Sequence, residues 1–122
     1  MRPEVTARLK QLETTLTTIE KVMDPEALAA RIRELEAQAG DPSLWDDPAH
    51  AQQVTSELSA AQAKVRKLES LRGRLEDMPV MYELAEEEGD TSLADDELDS
   101  LESAIESLEV TTMLSGEYDP RE

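Results

Sequence analysis

The chain has 122 residues, enough for one domain with a modest core, and its aromatics are only 2% of the total: one Trp, two Tyr and no Phe. A core must therefore come from Leu, Ile, Val, Ala and Met, the side chains of helix-on-helix packing, and with four Gly and no β-branched runs the expected class is all-α. No Cys is present, which excludes disulfides, thiolate metal sites and thiol nucleophiles. No apolar run approaches the roughly 20 residues that span a bilayer, and nothing after Met1-Arg2-Pro3-Glu4 resembles a signal peptide, so a cytoplasmic protein with no membrane partner is expected.

The net charge of −17 is unevenly spread. Residues 1–74 carry 12 acids and 11 bases, whereas residues 75–122 carry 17 acids and only Arg121 as a base. Phosphate binding relies on Lys and Arg, so the second half is a poor candidate for it, and no direct nucleic-acid site is expected in this domain. That half reads as a solvated acidic face, or as an attractor of basic protein surfaces.

Four segments have helical periodicity. In the first, Val5, Leu9, Leu12, Leu16, Ile19 and Met23 recur at alternating steps of four and three, forming one stripe. Thr14, Thr15, Thr17 and Thr18 on its other faces are mediocre helix formers, so packing must hold this helix. The second carries Leu28, Ile32, Leu35 and Ala39 and stops at Gly40. The third runs from Ala51 through Val54, Leu58, Ala61, Val65 and Leu68 to Leu71, Leu75 and Met78; its alternation slips once, between Leu68 and Leu71, which locally changes the winding of the seam. The fourth carries Ala94, Leu98, Leu101, Ile105, Leu108 and Thr112 and ends near Gly116.

Asp-Pro at Asp24-Pro25, Asp41-Pro42 and Asp47-Pro48 reads as three helix starts: Asp accepts free backbone N–H groups, and Pro at the first helical position has none to leave unpaired. Asp119-Pro120 suggests a linker. Pro79 interrupts periodic sequence, with Val80, Met81, Leu84 and Ala85 beyond it, so a kink or short break is expected there. Short connections favour antiparallel neighbours. The expectation is an elongated antiparallel bundle of three long helices plus one or two short ones, with residues 1–116 as the domain and 117–122 as the start of a linker.

No constellation points to catalysis, and neither catalytic, cofactor-binding nor metal residues are assigned. His50 stands near Asp46 and Asp47 at ligand-like spacing, but the pattern is better read as a helix cap. Asp95-Asp96 and Glu86-Glu87-Glu88 lack a tuning partner and read as solvated helix surface. Lys64, Arg66, Lys67, Arg72 and Arg74 form the one basic concentration; pairing with the acidic fourth helix is expected in preference to a phosphate-contacting stripe. Trp45 is expected to plug a bundle end with Leu44, the alternative being a partner-binding anchor.

Three segments carry a family resemblance. Asp41-Pro42-Ser43-Leu44-Trp45-Asp46-Asp47 is similar to a D-P-x-x-W link, Tyr82-Glu83-Leu84-Ala85-Glu86-Glu87-Glu88 to an L-E-L-A segment before an acidic turn, and Leu114-Ser115-Gly116-Glu117-Tyr118-Asp119 to an F-S-G-E-Y-D exit. In register, they resemble the N-terminal domain of the bacterial peptide chain release factor 2 family, the type that reads UAA and UGA, over the whole chain. One departure is Leu114, where an aromatic is common. The resemblance implies a module of translation termination. The family's S-P-F codon-reading tripeptide and G-G-Q loop do not occur in these residues, so this chain is expected to be no enzyme and to need no cofactor. The implied partners are the ribosome, at the base of the large-subunit stalk, and functionally the GTP-dependent release factor. A free-standing coiled-coil scaffold or adaptor is the alternative, and an acidic mimic of basic-surface ligands a third reading.

Overall fold

The computed structural model describes residues 1–114, and its regular structure is helical: α1 (Pro3–Met23), α2 (Pro25–Ala39), a short 3-10 turn (Pro42–Asp46), α3 (Pro48–Glu88) and α4 (Ser92–Leu114). The all-α bundle is as expected. Position 116, where the domain boundary was placed, and the exit segment beyond Leu114 lie outside the described residues.

Each Asp-Pro pair within these residues starts an element. The Asp24 carboxylate accepts the Ala27 N–H (3.2 Å), Asp41 accepts the Ser43 N–H (3.0 Å), and Asp47 accepts the His50 N–H (3.2 Å). Asp24 is the whole connection between α1 and α2, and it sits in the left-handed region at φ 56°. Asp and Asn tolerate that region better than most side chains. Within α1, the Thr14 and Thr18 hydroxyls donate back to the carbonyls of Lys10 and Thr14, which satisfies them inside a helix they do not favour.

The chain divides into two compact units. One takes Met1–Met23 together with Glu69 onward; the other is Asp24–Leu68. The boundary on α3 falls at the slip between Leu68 and Leu71.

In the first unit, α1 packs on α4. Val5, Leu12, Leu16, Ile19 and Met23 of α1 are buried, as are Ala94, Leu98, Leu101, Ile105 and Thr112 of α4 and Leu71, Leu75, Met78 and Tyr82 of α3. Ion-pair registers give the helix directions. Arg2 meets Asp95, and Arg8 meets Asp99 and Glu102, so α1 and α4 run parallel. Arg74 meets Glu97 while Tyr82 meets Asp95, so α3 runs antiparallel to α4. α3 and α4, joined by a short connection, are antiparallel as expected, and α1, which opposes α3 with Met1 on Glu86 and Glu20 on Arg72, is therefore parallel to α4.

In the second unit, α2 opposes the first turns of α3, with Arg31 on Glu57 (2.8 Å). Leu35, Leu44, Ala51 and Val54 form the core, flanked by half-buried Ala39 and Leu58.

The break expected at Pro79 does not occur. α3 runs unbroken for 41 residues, roughly 60 Å at 1.5 Å per residue. Pro79 itself is exposed, while Leu75, Met78 and Tyr82 on either side of it are buried, so packing holds the helix across the missing N–H.

Candidate interaction surfaces

The 3-10 turn is held from both ends. The Asp41 carboxylate accepts the Ser43 N–H and the Ser43 hydroxyl (2.9 Å), and these bonds hold its pKa below the usual carboxylate range. The Leu44 N–H bonds to the Asp41 carbonyl, and Leu44 closes the α2–α3 core. Trp45, expected as the plug, is instead 57% exposed. A 3-10 turn has about three residues per revolution, so adjacent side chains diverge by about 120° and only one of the pair can face the core. Leu44 takes that place. His50 is exposed, and its backbone N–H completes the Asp47 cap.

Asp95 corrects the reading of Asp95-Asp96 as solvated surface. Asp96 is exposed, but Asp95 is a hub. It accepts the Tyr82 hydroxyl (2.6 Å), the Arg2 guanidinium (2.7 Å) and the Thr91 hydroxyl (3.2 Å), joining α3, the start of α1 and the start of α4. The Tyr82 bond above all lowers the Asp95 pKa. Tyr82 is 1% exposed; burial first, and the bond to Asp95 second, push its phenol up to about 12. Through these three bonds the cluster ties the helices together. Tyr82 could have been found by extending the α3 seam: it lies four residues after Met78, in register.

The basic group disperses. Arg74 pairs with Glu97 of α4 (2.8 Å) and bonds Ser100 (3.1 Å), as expected. Arg72 turns to α1, where Nη1 donates to both oxygens of Glu13 (2.7 Å each), Glu20 takes Nη2 and Nε bidentately (2.8 and 3.2 Å), and Nη2 lies 3.3 Å from the Thr17 hydroxyl. Arg66 and Lys67 are exposed in the other unit. Within the first unit, Arg72 and Arg74 thus serve different helices. Among the described residues, no group of three His, Asp or Glu side chains converges as a metal site would require, and no helix is long and apolar enough to cross a membrane.

The family model of the PCRF domain matches residues 28–122. The chain belongs to the PCRF domain family. Over its whole length it is similar to proteins named peptide chain release factor 2: 75% identical to that of Corynebacterium aurimucosum, 67% to that of Corynebacterium glutamicum and 57% to that of Rhodococcus jostii. It covers 34%, 33% and 34% of those proteins, so this PCRF domain chain spans about a third of the length of its curated relatives. The match is to their N-terminal portion. The PCRF match begins at Leu28, inside α2, and leaves out α1, whose stripe is nevertheless buried in the first unit.

Proposed function

We propose that this PCRF domain is the N-terminal docking arm of a cytoplasmic factor that terminates translation. The full-length factor would recognise UAA and UGA on the ribosome and promote peptidyl-tRNA hydrolysis. The observation that carries the reading is the 75% identity, over the whole chain, to a protein named peptide chain release factor 2. The arm itself is no enzyme in this reading, since neither a codon-reading tripeptide nor a G-G-Q loop lies in these residues, and Asp24, Asp41, Asp47 and Asp95 serve as caps and ties. Residues 1–116 form the arm and 117–122 begin the linker. Its partner is the base of the large-subunit stalk, through which it influences recycling by the GTP-dependent release factor.

The test uses the isolated chain with ribosomes. It should co-sediment with large subunits, compete with a full-length factor, and release no peptide above a no-factor control on stop-programmed ribosomes. Failure to bind large subunits, or release by this chain alone, overturns the proposal.

A further inference from the structure

Beyond the slip, the seam of α3 runs through Leu71, Leu75, Met78 and Tyr82, all buried. Val80, Met81 and Leu84 lie on a different face of the same turns, 56%, 36% and 56% exposed. With Asp77 they line a shallow hollow of about 260 Å³. Asp77, Met81, Leu84 and Glu88 follow one another at steps of four, three and four, so the apolar stripe is closed by a carboxylate at each end. Glu76, Glu83 and Glu87 follow its flank at steps of seven and four. Residues 76–90 hold seven acids and no base.

We propose that the Val80–Met81–Leu84 face of α3 docks a basic amphipathic helix of another protein, whose apolar side chains enter the hollow and whose Lys and Arg residues meet the surrounding carboxylates. Charge selects this occupant. A second copy of the chain would bring the same acids face to face, and nucleic acid or an anionic lipid surface would meet like charge. A cationic helix with an apolar stripe complements both features, in the way helix-in-groove recognition uses anchors at i, i+3 or i+4. Met81 suits such a surface because its unbranched thioether adapts to the shape that enters. The proposal deepens the docking reading by naming the face and the partner's chemistry; its test uses no ribosome, so the two can fail separately.

The probe is a fluorescein-labelled 18-residue amphipathic helix of Lys and Leu, followed by anisotropy against the chain, with a scrambled peptide of the same composition alongside. Val80→Ser/Leu84→Ser should weaken binding at least tenfold with the helical circular dichroism unchanged. Glu83→Gln/Glu87→Gln should weaken it several-fold and flatten its salt dependence, whereas Val110→Ser, an equally exposed apolar site on α4, should leave it unaltered. Equal binding by the Val80→Ser/Leu84→Ser chain, or equal binding of the scrambled peptide, overturns the proposal. So does a dimer of the parent chain that the same double substitution dissociates.

Discussion

Replacing Tyr82 by Phe removes one oxygen from the tie between α3 and α4 and leaves the ring, which is 1% exposed, to fill the same space. The lost bond is a hydroxyl donating to a carboxylate at 2.6 Å. Hydrogen bonds to charged groups contribute about 1.5–3 kcal/mol, and Asp95 keeps Arg2 and Thr91 as donors, so a loss of about 1–2 kcal/mol is expected near neutral pH. The parent should also lose stability in alkali. Its phenol ionises at about 12 when folded, against about 10 when unfolded, so the fold favours the neutral form. That contribution is complete below pH 10 and disappears as pH rises from 10 to 12; two pH units amount to about 2.7 kcal/mol. Urea melts at pH 8 and at steps between pH 10 and 12 measure both effects, and in a Tyr118→Phe background phenolate absorbance follows Tyr82 alone. Tyr82→Phe as stable as the parent, with a Tyr82 phenol that ionises near 10, would refute the reasoning.

Trp45→Ala should change stability by less than about 1 kcal/mol, because the ring is mostly in water; emission resembling that of free Trp, readily quenched by iodide, is the matching observation. Leu101→Ala, at a fully buried site, should cost about 2–5 kcal/mol, and Leu58→Ala, half-buried at the edge of its cluster, clearly less; equal melting shifts would contradict the assigned cores. Pro79→Ala should stabilise by about 1–3 kcal/mol, since it restores a helix N–H in the middle of an unbroken helix and Pro79 is exposed; a lower melting temperature would show that the ring has a packing role. Asp41, Asp90 and Asp95 all have lowered pKa values, so the stability they supply is complete above the ordinary carboxylate range and is lost as pH falls through their folded values; acid melts of Asp41→Asn should show a shallower decline than the parent.

The stripes of α1 and α4 were legible because burial on a single helix face writes a three-four repeat directly into the sequence. The Asp-Pro caps were legible for a local reason, since cap and Pro act within one turn. Four features escaped because they depend on packing across elements. Leu44 and Trp45 are both apolar, and which of them points inward follows from the phase of the turn against α2 and α3. Arg72 and Arg74 are two residues apart on a helix, about 200° around its axis, so they address different neighbours, α1 and α4. Pro79 was read from its local cost, whereas buried Met78 and Tyr82 carry the helix through it. Val80, Met81 and Leu84 were legible as apolar but not as outward-facing, since helical periodicity marks a face without saying what covers it.

Position 24 sets unusually narrow terms for sequence change. Its residue must reach the Ala27 N–H with a short oxygen, adopt φ 56°, and precede a proline, which disfavours the right-handed helical region. Gly would accept the backbone but has no side-chain oxygen to offer; Ser and Thr offer one but tolerate the left-handed region poorly. Asn alone satisfies all three demands as Asp does. In a library of every residue at position 24 selected for folding, Asp and Asn should dominate the survivors, with Gly a distant third, so that one connecting residue is among the least replaceable on the surface of the chain.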